Sequence, residues 1–547
     1  MSHLRRLSLV SVPALALSTL AFVPATPASA AEPDPTPVSH GADWLAGQLT
    51  DGLMHNDQFG FDDLGLTTDT GLAMAYLDES DTAGDISDAL APRITEYYTY
   101  DVANSEGQLV GTHVSAGSLA KAAAFVDAAG DDPTDFGGHD LVAELEDRVS
   151  TEPGTEGRIG DVFFPDEPFE ADFSNTLGQA FAARALHAED SELTDSAVDF
   201  LLAQQCEEGF FRLSFAPADA AEQGCDDDAG SAPSTDVTAL ALLNLTALGG
   251  YSTGVEDAKA AAIDWLVAAQ GADGSFGSDG EITTPNANST GLAGWALGDT
   301  GEADDAATAA AVWLRQHQAD DFGPCTTGLS GDTGAIAYDD AALSTGRSEG
   351  LDVTVQDQFR RGTAQALPAL LWAPAGDPTY ADVVVDGFVR AGSTQDVAAL
   401  DVAPGQTVCF ARNASQDFVH ADADGLAVGL VVLPEGSGRR VYRTGLTDGV
   451  IGTITYRALD AKRLDLNLKK AKVATKKKQK VVVKGLATGE SVRVLYKGKV
   501  KDDGTAGGKG RFVTTFKVGK NPGKQKVKVR GEFGNRKAAE KFRVKGR

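Results

Sequence analysis

The 547-residue sequence predicts a multidomain chain, an N-terminal all-α array of about six helix pairs over 39–373 followed by two all-β domains over 374–460 and 461–547. Three observations carry this. A helix-pair signature recurs along the first part: Trp265-Leu266, three residues, Gln270, then Asp273-Gly274-Ser275-Phe276. From about Pro374 helical spacing gives way to short alternating apolar runs separated by turn signals, the pattern of β-sandwiches. Charge then changes sign: Lys462 to Arg547 holds 28 Lys and Arg against 6 Asp and Glu, net +22, which leaves −54 on the rest of a chain of total −32.

In chain order, Arg5-Arg6, an apolar run from Leu7 to Val23 and Ala28-Ser29-Ala30 read as a secretory signal peptide, residues 1–30. A Pro-rich linker, 31–38, follows. Phe200-Leu201 with Gln205 and Glu208-Gly209-Phe210-Phe211, Trp313-Leu314 with Gln318 and Asp321-Phe322-Gly323, and a looser Trp44-Leu45 with Asp51-Gly52 repeat the signature. Each is followed by a small-residue helix, as at Thr70-Gly71-Leu72-Ala73, Thr238-Ala239-Leu240-Ala241 and Thr290-Gly291-Leu292-Ala293. Asp-Gly suits the reversal because Gly takes positive φ without a Cβ penalty, and Asn288 or Ser289 is expected to cap the second helix. One helix pair cannot bury its own apolar stripe, so it needs neighbours like itself.

On Trp265, Leu266, Gln270, Gly274 and Phe276 this repeat resembles the prenyltransferase and squalene-oxidase (terpenoid cyclase) repeat, with Phe in place of the usual final Trp. The resemblance implies an α/α toroid: six inner helices ringed by six outer ones around a cavity. The chemistry of that family does not carry over. No Asp-x-Cys stands at any of the four cysteines, so the zinc-ligand pattern of the prenyltransferases is missing, and Asp236 in Ser234-Thr235-Asp236-Val237 is all that remains where cyclases carry Asp-x-Asp-Asp. Asp131-Asp132-Pro133-Thr134-Asp135 lies in a Gly- and Pro-punctuated loop and reads as a turn. No metal and no cofactor is expected, and no catalytic residue is assigned.

The polar residues just before or at the second-helix starts, Asp69, His113, Asn175, Asp236, Asn288 and Arg361, are expected to gather at one mouth of the cavity, where helix N-termini favour an anionic or hydroxyl-rich ligand. Their competing role is simple capping. In an exported chain the four cysteines read as disulfides. Cys206 and Cys225 flank one hairpin loop and are expected to pair, and a Cys325–Cys409 bond would staple the toroid to the next domain.

Strands are expected at Val383–Val385, Val397–Val402, Thr407–Ala411, Leu426–Leu433, Val441–Tyr442 and Val450–Tyr456, then at Gln479–Lys484, Ser491–Tyr496, Arg511–Val518, Gln525–Arg530 and Glu540–Val544, with turns at Asp422–Gly425 and Asp502–Gly504. Both segments resemble bacterial immunoglobulin-like domains. The +22 terminal domain predicts adhesion to an anionic envelope polymer or to lipid headgroups. Sparse aromatics and the lack of a recognised motif argue against nucleic acid. No apolar helix or sorting motif follows it, so a secreted or peripherally envelope-held protein is expected. The functional expectation is a non-catalytic toroid that binds an apolar or glycan small ligand, or presents a surface, tethered by the basic domain. The alternatives are a toroid-type enzyme, polysaccharide lyase-, glycosidase- or terpenoid cyclase-like, and a carrier resembling the cobalamin binders.

Overall fold

The computed structural model describes residues 33–228, 230–278, 283–378, 381–447 and 449–546, so the segment read as a signal peptide and the start of the expected linker lie outside the described residues. A helical region is followed by a β-rich one, the order the sequence predicts. The helices are α1 Thr36–Ala46, α2 Leu64–Tyr76, α3 Ser80–Leu90, α4 Ile94–Tyr98, α5 Ala116–Ala129, α6 Leu141–Glu146 and α7 Thr176–Ala188. They continue with α8 Thr194–Leu202, α9 Thr235–Ala247, α10 Thr253–Ala269, α11 Ala287–Asp299, α12 Asp304–His317, α13 Asp340–Glu349 and α14 Gln356–Ala366, which a 3-10 stretch, Leu367–Trp372, prolongs.

Six of these close a ring: α2 packs on α5, α5 on α7, α7 on α9, α9 on α11, α11 on α14, and α14 back on α2. Outside it, α3, α6, α8, α10 and α12 back the first five, while α1 backs the 3-10 stretch and α14. Five of the inner helices are small and apolar on nearly every side, as helices buried all round must be; α14, with Gln356, Asp357, Gln358, Arg360 and Arg361, is the polar exception. In α11 the glycines form one stripe. A Cβ at Gly291 would stand 2.3 Å from the Cα of Ala366, one at Gly294 2.8 Å from the Ala310 side chain, and one at Gly298 2.2 Å from Trp372. Only hydrogen fits these contacts.

The recurring Gln and Gly are the mortar of the array. Gln205 Nε2 donates to the carbonyls of Gly209 (2.9 Å) and Ala258 (2.8 Å), and Gln270 Nε2 to those of Gly274 (3.0 Å) and Ala306 (2.9 Å). Gln318 Nε2 reaches Gly334 O (3.1 Å) and Pro37 O (2.8 Å). Each Gln therefore ties its own turn to the start of the next outer helix, and Gln318 closes the ring onto α1. The turn glycines press on that same helix: Gly209, Gly274 and Gly334 have φ of +99, +90 and +99°. A Cβ there would approach Ala261 O, Ala309 O and His40 O to 2.4, 2.2 and 2.0 Å. Two residues on, the N–H of Phe211, Phe276 or Ile336 donates to a threonine hydroxyl of the following inner helix, Thr238, Thr290 or Thr363.

This corrects the third copy of the repeat. Its turn is Gly334-Ala335-Ile336, not Asp321-Phe322-Gly323, because an insertion separates Gln318 from its glycine. The insertion carries Phe322 and Cys325 into a cluster with Cys409, Ala411 and Phe418.

Short strands β1 Leu49–Thr50, β2 Leu53–Asn56, β3 Phe61–Asp62, β4 Thr99–Ala103 and β5 Leu109–Val114 decorate the helical region. Next come β6 Ala381–Val384, β7 Val389–Arg390, β8 Thr394–Ala399, β9 Thr407–Arg412, β10 Ser415–His420, β11 Ala427–Val432, β12 Gly438–Leu446 and β13 Gly449–Leu459. Their order is β10-β9-β12-β13-β6 with β7 also on β13, and a separate β11-β8 pair. The last set is β14 Asp465–Leu468, β15 Lys472–Ala474, β16 Lys478–Lys484, β17 Ser491–Tyr496, β18 Lys499–Thr505, β19 Arg511–Lys517, β20 Gly523–Arg530 and β21 Lys537–Lys545. It forms a β14-β16-β19 sheet and a β15-β21-β20-β17-β18 sheet around one shared core. Asp422–Gly425 is a turn, its Asp422 carboxylate accepting from the N–H of Asp424 and Leu426. Asp502–Gly504 is not a turn but part of β18; the reversal falls at Lys497-Gly498, both at positive φ.

Cys206 bonds Cys225, and Cys325 bonds Cys409 across the helical region and the first sandwich. Arg315 reinforces that junction by donating to Pro374 O (2.7 Å) and Pro404 O (3.4 Å). Between the two β units, buried Arg536 holds both Glu490 oxygens (2.7 and 2.8 Å) and Asp460 (3.1 Å). Among the described residues no helix is long and apolar enough to cross a membrane.

Candidate functional site

All six inner helices line one central cavity of about 450 Å³. Its wall follows the helical repeat: Asp69, Leu72 and Tyr76 on α2, Leu177, Phe181 and Arg184 on α7, Leu240, Leu243 and Ala247 on α9, and Leu292, Trp295 and Asp299 on α11. Such i, i+3 or i+4, i+7 sets share one helix face. The waist is apolar and the two ends are polar.

About one and a half turns into their helices, Lys121 of α5 pairs with Asp69 of α2. Burial opposes the Lys121 charge, yet the Asp69 carboxylate and the Tyr97 hydroxyl together raise its pKa above the ordinary lysine value. Burial likewise raises Tyr97. At the C-terminal end, Tyr76 donates to Asp299 Oδ1 at 2.7 Å. Burial and that acceptor raise the Tyr76 pKa. Its ring lies against Trp295, centroids 4.7 Å apart.

Two polar groups at that end are not used by the protein. Among the described residues Asn244 Oδ1 has no hydrogen-bond partner, whereas the Trp295 N–H turns to the Tyr76 hydroxyl. The Arg184 guanidinium, also on the cavity wall, makes no hydrogen bond or ion pair among them. Burial depresses its pKa, with the Asp127 and Asp299 carboxylates opposing at longer range. Half-buried and without a protein partner, this guanidinium presents up to five donors to the cavity. It can receive a ligand head that carries acceptor oxygens. The wall carboxylates, by contrast, are engaged, Asp69 by Lys121 and Asp299 by Tyr76.

Of the six polar residues singled out from the sequence, Asp69 and Asn175 line this cavity; the other four lie outside its lining. Asn175 is a true N-cap, accepting from Leu177 N and Gly178 N. Asp69 and Arg361 sit inside α2 and α14 rather than at their starts, and Arg361 is spent on Asp63 and Asp357. Asp236 follows the actual cap, Ser234, and accepts from Ser278 Oγ at 3.0 Å. Asn288 donates to Gln365, and the cap of α11 is Asn286, not Asn288 or Ser289. His113 is in β5, stacked on Tyr100 (4.4 Å) and bonded to Glu170 (3.0 Å). The Asp131–Asp135 stretch is a self-bonded turn, Asp132 accepting from Thr134 N and Oγ1. Among the described residues no cluster of three or more His, Cys, Asp or Glu is placed to hold a metal.

Sequence reasoning missed Lys121, Arg184 and the cavity role of Trp295. The available signal was a lone cation in each of two Ala-rich helices that have no wet face to send it to.

No family model and no curated protein matches the chain. Among solved structures it is similar to a protein from Actinoplanes (19% identity, TM-score 0.40, 61% of this chain and 97% of that one). It is also similar to the type II terpene cyclase MstE from Scytonema (15%, TM-score 0.39, 61% and 96%), and to a CARDB domain from Pyrococcus furiosus (22%, TM-score 0.13, 15% and 93%). Likenesses this distant assign no chemistry.

Proposed function

We propose that this is an exported ligand-binding protein: the ring cavity holds a small amphipathic molecule, and the basic terminal domain holds the protein on an anionic envelope surface. The carrying observation is a cavity that six helices build and their side chains leave open, with an apolar waist and the unpartnered Arg184 at one end. Specific small-molecule sites are mostly apolar with a few placed polar groups. The N-terminal signal-like segment, the two disulfides and the immunoglobulin-like reading of the β units support export and surface presentation. A catalytic reading is weaker because the wall carboxylates Asp69 and Asp299 are both engaged.

Calorimetry of the full chain with straight-chain and prenyl carboxylates, against the matching alcohols, tests the cavity. Carboxylates are expected to bind at least about tenfold tighter, a difference of about 1.4 kcal/mol, and R184M is expected to erase the preference while alcohol binding persists. Equal binding of acid and alcohol by the native chain, or no binding by either, overturns the reading. Native mass spectrometry of the protein from its producing cells identifies any resident ligand.

A further inference from the structure

The terminal domain carries its charge in an ordered way. In the β15-β21-β20-β17-β18 sheet, alternation buries Val527, Val529, Phe542 and Val544 and turns every intervening cation outward. The register then sets like charges directly opposite one another: Lys524 faces Arg543, Lys526 faces Lys541 and Arg530 faces Lys537. Arg530 also faces Arg493 on its other side, and Lys472 of the edge strand faces Arg543. Like charges in such positions destabilise a sheet. Among the described residues none of these cations has a carboxylate partner, although Glu490 and Asp460 in the same region are both given to Arg536. Asp503 of β18 faces Arg493 across the sheet, but the cation pairs between β20 and β21 and the Lys472–Arg543 pair have no acid opposite them.

We infer that this sheet face is the binding surface for a linear, non-aromatic polyanion of the polyol-phosphodiester class, an inference that rests on the tether reading above. Same-face residues along a strand repeat at about 6.8 Å and neighbouring strands lie about 4.8 Å apart. The cations therefore form a regular grid that a flexible chain with evenly spaced anionic groups can follow, releasing counterions as it binds. The face offers no aromatic ring on which a base would stack, and its apolar members, Leu495, Val500 and Ala539, form a short row interrupted by Lys528 rather than a ridge to enter a bilayer. A compact monomeric anion would use only one corner of it.

The test is binding of soluble poly(glycerol phosphate) to the full chain, with free glycerol phosphate, phosphatidylglycerol vesicles and duplex DNA as parallel probes. The variant K526E/R530E/R543E alters the five-stranded face at one member of each facing pair. The control K478E/K480E/K517E alters the outer face of the β14-β16-β19 sheet, where Lys478 faces Lys517. The first is expected to weaken polymer binding by about 100-fold or more and flatten its salt dependence, with an unchanged or higher Tm because repulsive pairs become attractive ones. The control is expected to weaken binding severalfold at most. Equal losses in both variants, or tighter binding of the native chain to vesicles, DNA or the monomer, overturn the assigned face or polymer while leaving the tether. Failure of the native chain to bind the polymer and isolated cell envelopes at low salt overturns the tether as well.

Discussion

Gly274 shows how one residue type serves two demands at once. Its φ of +90° excludes a side chain on conformational grounds, and the carbonyl of Ala309 occupies the space where a Cβ would go. Gly130, the cap of α5, has a similar φ of +86° but nothing within 4 Å. Gly130→Ala is therefore expected to cost about 1–2 kcal/mol, the left-handed penalty alone. Gly274→Ala is expected to cost about 3 kcal/mol or more, because the turn must also leave the next helix. Denaturant unfolding of both variants checks the ordering. Arg184 is the opposite case, a residue whose cost to the fold is a burden carried for the cavity. R184M removes a half-buried charge that has no protein partner, so its Tm is expected to stay level while carboxylate preference is lost. A fall in Tm with binding intact would make Arg184 a structural residue.

At the scale of elements, α12, α13 and β10 meet around two imidazoles. His317 Nδ1 donates to Trp313 O at 2.9 Å, and its ring stacks on Trp313. Burial lowers the His317 pKa against the opposing pull of that carbonyl and of Asp340. Burial, helped by the Arg347 and His317 charges, takes His420 down to about 4 from 6.5. Both groups bind a proton more readily in the unfolded chain, so folding stability is full above about pH 6.5 and falls as pH drops toward about 4. Tm measured across that window should decline, and H420Q should flatten the decline; parallel curves would place the acid sensitivity elsewhere. The repeat itself was legible at this scale, since Gln270, Gly274 and Phe276 act on neighbours within a turn or one helix away. The third copy was not, because an insertion between Gln318 and Gly334 leaves the local spacing without its glycine. Strand alternation revealed most strands of the β-rich region but not β7, β14 and β15, which are four residues or shorter, nor β10 and β18, which have no buried position.

In the whole molecule, the Cys325–Cys409 bond joins residues 84 apart and ties the helical ring to the first sandwich, whereas Cys206–Cys225 spans 19 residues within one repeat. By loop entropy the first is worth about 4–5 kcal/mol and the second about 3. C325S/C409S is expected to split calorimetric unfolding into two transitions as ring and sandwich uncouple, while C206S/C225S lowers a single one. An unsplit transition in the first variant would mean that Arg315 and the Phe322 cluster suffice to hold the junction.

The amino-acid sequence by itself determined the helix-pair array, the switch to strands near Pro374 and the concentration of cations after Lys462, because each is written in short-range periodicity or in composition. Tertiary structure alone decided which side chains face the cavity and how the cations align. Helices buried on every side carry no periodic mark of their inward face, so Lys121 and Arg184 look like any cation in an Ala-rich stretch. Cross-strand register comes from pairing between segments far apart in sequence, so the facing of Lys526 and Lys541 exists only once β20 and β21 have met.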